Sequence, residues 1–365
     1  MELQQPDKSL DGRRACPFLS VVLPVRNEEK HLGAVLEQLR LQDYPQDRFE
    51  IIVADGESID GTRTVVESFQ KHCTIPVRLI KNPKQLSSAG RNVGARAARG
   101  EYVFFVDGHC VIAHSSMLRD AVALFEGTGS DCLCRPQPLT AAGNSPFQTV
   151  VANVRATPLG HGSDSTIYDM GYEGPVNPTS AGALYRKSVF SKIGYYDETF
   201  DACEDVEFNY RVFKAGLKSW ISPKLTVFYH PRAGLPGLWK QMMRYGRGRC
   251  RFLRKHPDAV TVGQVVPALF LLWTLLGSMM WVFSRTFSFF FFLSLALYLG
   301  ANLIFCSLLG FRYGSNEFLF SPLVFLAIHF GLGAGFLTEA LAQFRRVVTS
   351  TPKGEKDDQS LSELC

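Results

Sequence analysis

Apolar positions change their rhythm once along this chain. Before about residue 256 they come in short runs, broken by Gly, Asp, Asn and charged residues; after Ala259 they come in long runs almost without charge. In the first region, residues 18–25, 49–54, 77–81 and 102–106 read as strands, β-branched or aromatic and short. Between them, helical spacing predicts a helix to about Leu41 with Leu32, Val35, Leu36 and Leu39 on one face and Asn27 as its N-cap, a second helix through Phe69, and a small-residue helix over 87–99. Strands alternating with helices predict an α/β fold with a mostly parallel sheet and right-handed crossovers. A helix over 115–125 and a strand over 131–136 continue the pattern. Residues 137–178 are rich in Gly, Pro, Asn and Thr, show no sustained period, and read as a substrate-covering loop. Further elements are expected as a strand over 179–185, a helix over 186–194, a helix over 206–215, and strands over 218–222 and 225–229.

Residues 235–255 mix Leu238, Trp239, Met242, Met243 and Tyr245 with many Arg and Lys, the composition of a helix lying along a membrane. Three uncharged runs follow, over 259–284, 286–311 and 318–338, each longer than the roughly 20 residues that span a bilayer. The expected organisation is therefore a flexible lead over 1–16, an α/β domain over 17–234, a basic interfacial helix over 235–257, a membrane region over 258–342 and a polar tail over 343–365. The basic cluster before the first run belongs on the cytoplasmic side. Three crossings would then carry Arg345, Arg346, Lys353 and Lys356 to the far side, against the same rule. Either one run is re-entrant or interfacial, or the tail is an exception.

Charge and cysteine content narrow the class. The net charge of +5 is modest and clusters over 240–255, which favours a membrane surface over nucleic acid as partner. Nine cysteines without a metal-type spacing fit reduced thiols on a cytoplasmic domain. The first 16 residues hold no apolar core of a signal peptide.

Candidate chemistry gathers after strands. Asp107-Gly-His109 follows the strand over 102–106, Asp55 follows the strand over 49–54, and Glu204-Asp205 stands in an acidic loop. Loops after parallel strands crowd at one sheet edge, where such folds bind ligands. Carboxylate and imidazole both ligate divalent metals, so Asp107 and His109 are a candidate pair for a cation holding a phosphorylated substrate.

Seven stretches, in order, carry a resemblance: Val21-Val-Leu-Pro-Val-Arg-Asn-Glu28, Val53-Ala-Asp-Gly-Glu-Ser-Ile-Asp-Gly-Thr62, Gly90-Arg-Asn-Val-Gly-Ala-Arg96, Val106-Asp-Gly-His109, Ser180-Ala-Gly-Ala183, Cys203-Glu-Asp-Val-Glu207 and Tyr229-His-Pro-Arg232. Over roughly residues 18–255 the chain resembles family 2 glycosyltransferases of the GT-A fold, specifically the succinoglycan-type bacterial β-glucosyltransferases. The resemblance implies a Rossmann-like catalytic domain that moves a sugar, glucose first among candidates, from a UDP-sugar to a lipid-linked or polysaccharide acceptor at the cell membrane, with Mn²⁺ or Mg²⁺. It places Pro24, Asn27, Glu28, Asp55, Glu57, Arg91, Asp107 and Gly182 on the nucleotide sugar, Asp55 accepting from the uracil. Asp107 and His109 take the place of the family's Asp-x-Asp, and His230 matches a His that often completes the metal shell. Asp205 matches the catalytic base, with Glu204 beside it.

Each residue has a plainer reading. Asp55 begins an Asp-Gly turn, Arg91 is a solvated helix charge, His109 and His230 are structural, and Glu204 and Asp205 favour a helix start electrostatically. Gln241-Met-Met-Arg-Tyr245 stands where processive members carry Gln-x-x-Arg-Trp. Tyr in place of Trp, with only three membrane runs, points to addition of one sugar rather than to processive synthesis. A non-catalytic nucleotide-sugar-binding membrane protein is the third reading. Gln241, Arg244, Arg247 and Arg249 are candidates for an acceptor diphosphate, or equally for anionic headgroups.

Overall fold

The structure is a computed structural model that describes residues 16–161 and 166–350. The expected flexible lead, apart from Cys16, and the expected tail beyond Ser350 lie outside the described residues.

The first half alternates strand and helix: β1 (Leu19–Val25), α1 (Leu32–Arg40), β2 (Phe49–Asp55), α2 (Thr62–His72), β3 (Val77–Lys81), α3 (Ser87–Ala97) and β4 (Tyr102–Phe105). β1 pairs in parallel with both β2 and β4, and β2 with β3. β2 is buried along its whole length, as expected of a parallel strand covered on both faces. The chain continues through β5 (Cys110–Ile112), α4 (Met117–Thr128), β6 (Cys132–Cys134), α5 (Pro146–Arg155), α6 (Pro158–His161), β7 (Gly174–Pro175), β8 (Gly182–Arg186), α7 (Ser188–Ile193), α8 (Glu204–Lys214), β9 (Ser219–Ile221) and β10 (Val227–Tyr229). The main sheet has the order β3-β2-β1-β4-β8-β6-β9-β7, and β5 and β10 form a separate antiparallel ribbon. Strand order reverses between β1 and β4, so the crevice beyond their carboxyl ends is the expected ligand position.

Two expectations change. Asn27 is not an N-cap: α1 begins five residues later, at Leu32, after His31. Residues 137–178 are not one irregular loop, because they contain α5 and α6. α5 is capped by a reciprocal pair, the Ser145 hydroxyl with the Gln148 amide, and has Pro146 in its first turn. Its apolar residues Val150, Val151 and Val154 are buried against the C-terminal helices.

Those helices are α9 (Leu235–Lys255), α10 (Val262–Met280), α11 (Arg285–Tyr313) and α12 (Ser315–Ser350). Among the described residues, three stretches are long and apolar enough to cross a membrane: Val262–Phe283, Arg285–Tyr313 and Ser315–Arg345. They are packed differently. The first two are 11% and 17% buried inside the protein, the third 50%. α12 packs against α5, α9, α10 and α11. The apolar face of α9 expected to rest on lipid rests instead on α12, through Leu238 and Met242. The two helices approach so closely that a Cβ at Gly246 would strike the Leu332 carbonyl, and one at Gly335 the Met243 carbonyl.

Candidate active site

Three loops meet over the carboxyl ends of β1, β4 and the start of α8, and one residue joins them. Arg91, on α3, donates from Nη2 to Asp107 Oδ1 at 3.1 Å and holds its Nε 3.7 Å from Glu204 Oε1. Its guanidinium lies over the Phe105 and Tyr196 rings, 5.2 and 5.8 Å from their centroids. It is therefore not a solvated helix charge: a side chain 12% exposed ties the Asp107 turn to the acidic loop.

The ribbon fixes the Asp107 turn from its other side. Tyr229 pairs with Cys110, which brings the Tyr229 hydroxyl to Asp107 Oδ2 at 2.6 Å. Burial alone would raise the Asp107 carboxyl; the charges of Arg91 and His109 outweigh it and hold it down at about 2. His109 Nδ1 meets Glu28 Oε1 at 2.8 Å. A carboxylate can only accept, so Nδ1 carries the proton and Nε2 is left with the lone pair when the ring is neutral. The bond to Glu28 raises the His109 pKa against burial, with Asp107 adding to the rise.

The three expected metal ligands do not form a cage. Among the described residues no three His, Cys, Asp or Glu side chains stand so as to hold a metal ion. His230 lines the same cavity, but its Nδ1 is 2.8 Å from Asn144 Oδ1. Asp107 and His109 do fit a cation that draws its other ligands from a substrate diphosphate. The carboxylate stays ionised and keeps unused lone pairs, and Glu28 orients the imidazole from behind as outer-shell carboxylates do.

The acidic loop enters α8 through Cys203, whose φ of 60° is the left-handed region that a residue with a Cβ seldom occupies. Glu204 and Asp205 thereby fall in the first helical turn, not before it. No side chain caps this end. Asp205 Oδ1 accepts from the N–H of the adjacent Val206 at 2.9 Å. Burial, and then the neighbouring Glu204 carboxylate, push the Asp205 pKa up to about 6, with Arg91 opposing. A carboxylate perturbed in this way beside a cleft is suited to act as a base near neutral pH.

Other predicted residues are placed unequally. Pro24, Asn27, Glu28, Arg91, Asp107, His109, Glu204 and Asp205 line one cavity of about 2020 Å³. Asn27 has φ 57°, and its Oδ1 accepts from the Ile59 N–H at 2.9 Å, so its side chain braces the loop after β2. Asp55 lies beneath this wall: it is 1% exposed, pairs with Arg63 Nε at 2.6 Å and accepts from the Ser58 N–H at 3.1 Å. Glu57, also at positive φ, accepts from Gln85 Nε2 at 2.6 Å. Gly182 does not face the cavity. It is glycine because a Cβ there would press on the Asn209 side chain, which donates to the Gly182 carbonyl. Gln241, Arg244 and Arg249 line the cavity, with Tyr245; Arg247 does not. Positions 241, 245 and 249 share one face of α9, and 247 falls half a turn away.

The sequence reading missed Gln85, Arg155, Tyr168, Tyr229 and the pair Tyr298 and His329, which also line the cavity. His329 Nε2 donates to the Leu159 carbonyl at 2.9 Å, leaving Nδ1 to accept from the Tyr298 hydroxyl at 2.9 Å. A volume of this size exceeds the roughly 300–1,000 Å³ of a single small-molecule pocket. It reaches from the sheet edge to the apolar helices.

This fold and site define a GT-A-type transferase. The profile of the family described as Glycosyl transferase family 2 matches residues 20–194. The chain is 32% identical over 252 residues to the succinoglycan biosynthesis protein ExoA of Rhizobium meliloti, covering 68% of this chain and 73% of that protein. It is 26% identical over 247 residues to a dolichyl N-acetyl-α-D-glucosaminyl phosphate 3-β-D-2,3-diacetamido-2,3-dideoxy-β-D-glucuronosyltransferase of Methanococcus voltae, covering 65% and 74%. Among solved structures, a Pyrobaculum calidifontis mannosyltransferase in complex with GDP-mannose and Mn²⁺ shares the fold at a TM-score of 0.56 and 17% identity, over 90% of this chain and 88% of that one. The chain belongs to glycosyltransferase family 2.

Proposed function

We propose that this protein is a membrane-anchored inverting glycosyltransferase that moves one sugar, glucose first among candidates, from a UDP-sugar to a lipid-linked or polysaccharide acceptor in cell-surface glycan synthesis. The observation that carries the reading is the Arg91 bridge, which sets a diphosphate-facing carboxylate, Asp107, and a raised carboxylate, Asp205, in one cavity. The acceptor hydroxyl attacks the anomeric carbon, and its proton passes to Asp205. The anomeric C–O bond to the nucleotide diphosphate breaks, and its electron pair leaves on the phosphate oxygen. One displacement by one base turns an α-linked donor into a β-glycoside. Base help of this kind is worth roughly 10²–10⁴-fold.

Asp107 and His109 would hold Mn²⁺ or Mg²⁺, which supplies positive charge to the departing diphosphate. Pro24, Asn27 and Glu28 form the wall for the nucleotide; Asp55 and Glu57 support that wall from beneath instead of touching the base. Glu204 keeps Arg91 in place. The catalytic domain faces the cytoplasm, with α10 and α11 in the bilayer. The similarity to a succinoglycan biosynthesis protein and to a dolichyl-phosphate-sugar transferase supports this class of acceptor.

The test is a panel of UDP- and GDP-sugars offered to membranes containing the full chain, with Mn²⁺, with Mg²⁺ and with chelator. We expect transfer from a UDP-sugar and its loss in chelator. Transfer only from a GDP-sugar would overturn the donor assignment, and equal transfer in chelator the metal assignment.

A further inference from the structure

Several arginines line the cavity besides Arg91, among them Arg26, Arg232 and Arg244, and two of them stand together on the side of the C-terminal helices. Arg155, at the end of α5, and Arg249, on α9, both line it. Neither guanidinium has an acidic partner or a side-chain hydrogen bond among the described residues. Arg155 lies over the Tyr168 ring, 5.7 Å from its centroid, so its planar face is supported while its N–H edge stays open. The contrast with other arginines is sharp. Arg91, Arg211 and Arg251 each pair with a carboxylate.

Their position is defined by packing. The turn of α9 that carries Arg249 presses on the loop leading to the catalytic acids: Cys203 Sγ is 3.8 Å from the Tyr245 carbonyl, and a Cβ at Gly248 would meet the Ala202 carbonyl. α5 packs on α12 through Val150, Val151 and Val154. The two arginines therefore stand between Asp205 and the apolar helices. The same cavity wall includes apolar Leu159, Pro267, Phe270, Ile328 and Leu332, with Tyr298 and His329 among them. Burial is the main cause that lowers the Arg249 pKa; Arg155 adds to it, against the opposing effect of Cys203.

We propose that Arg155 and Arg249 form an anion seat for the phosphate of a lipid-linked acceptor, whose hydrocarbon chain lies along the apolar part of the same cavity wall. The inference rests on the transferase reading and narrows its acceptor to a phosphate- or diphosphate-linked lipid. One cavity holds all three parts: a base, two guanidinium forks and apolar side chains of α10 and α12. Guanidinium forks suit phosphate oxygens.

Binding to the purified full chain in detergent separates this proposal from the transfer reaction. The probes are farnesyl diphosphate, farnesol, inorganic diphosphate and UDP. The wild type should bind farnesyl diphosphate at least about tenfold tighter than either farnesol or inorganic diphosphate, since charge-assisted bonds and an apolar chain both contribute. Arg155→Gln and Arg249→Gln should each weaken farnesyl diphosphate about tenfold and leave UDP within twofold. Arg155→Lys and Arg249→Lys should fall between, since lysine keeps the charge without the fork. Unchanged farnesyl diphosphate binding in both Gln variants would overturn the proposal. Equal binding of farnesol would remove the phosphate from it, and equal binding of inorganic diphosphate would remove the lipid. Parallel loss of UDP would move the arginines to the donor. Failure of the wild type to bind UDP at all would count against the transferase reading instead.

Discussion

At the scale of single residues, the site is a set of charges that hold each other away from their ordinary states. Asp107 is kept ionised and Asp205 is kept weakly acidic, with Arg91 acting on both. The raised Asp205 pKa has two consequences with opposite signs. As a base it must be deprotonated, so kcat/KM should rise with pH and level off above about 6. As a half-buried acid beside Glu204 it binds its proton more tightly in the folded state than in the unfolded one. Stability should therefore be lost as pH rises from 3.8 through about 6. Asp205→Asn removes that loss. It should melt higher than the wild type at pH 7.5, with the gap closing below pH 4. A thermal denaturation series with pH checks this, and a variant that melts lower at every pH would contradict the assignment of Asp205 as a half-buried base. Asp107, His109, Glu204 and Asp205 were legible because acids and imidazole after strands are rare and chemically pointed. Asp55 was ambiguous for the opposite reason. Its motif fits both base recognition and a turn, and the Arg63 contact, eight residues on in α2, could not be read from it. Tyr229 opens the Tyr229-His-Pro-Arg232 stretch, but its bond to Asp107 depends on the β5–β10 register, which no motif states.

At the scale of elements, short buried strands and amphipathic helices gave themselves away by period, and boundaries of β1 to β4 agree with the expectation within about two residues. α5 was hidden because Pro and Asn around it read as loop. Its signal was present in Ser145-Pro146-Phe147-Gln148, an N-cap, a first-turn proline and a capping glutamine, followed by Val150, Val151 and Val154 at helical spacing. α9 was recognised with both its ends but assigned the wrong neighbour. Composition describes which face is apolar and not what covers it. The α9–α12 contact is a close helix crossing, which only glycine permits at Gly246 and Gly335. Gly335→Leu should force the helices apart. It should cost about 1–3 kcal/mol by overpacking and move Tyr245 and Arg249 away from the cavity. Transfer should fall much more than UDP binding. Unchanged melting and unchanged transfer would show that the crossing is not needed.

At the scale of the whole molecule, the conflict between three apolar runs and the basic residues after them has a physical resolution. α12 touches the same domain at three places along its length. Glu317 accepts from Asn153 of α5, His329 donates to the Leu159 carbonyl, and Glu339 pairs with Arg251 of α9. Glu317 and Glu339 are separated by about 33 Å of helix, close to the roughly 30 Å of hydrocarbon in a bilayer. A helix whose two ends both meet one domain cannot end on opposite sides of a membrane. We therefore expect α10 and α11 alone to cross, with α12 between the domain and the bilayer. Large exposed apolar side chains such as Phe283, Phe289 and Leu297 lie on α11 and the turn before it, where lipid would cover them. Reporters fused before Met1 and after Cys365 should appear on the same side of the membrane; opposite sides would mean that α12 crosses. Two crossings would hold the candidate cavity against the lipid, where a lipid-linked acceptor would be met. The most direct measurement of the account is sugar transfer from the active UDP-sugar by wild type and by Asp205→Asn, with the anomeric configuration of the product read by NMR. The account predicts a β-linked product from the wild type and a loss of about 10²–10⁴-fold in the variant. An α-linked product, or full transfer by Asp205→Asn, would contradict it.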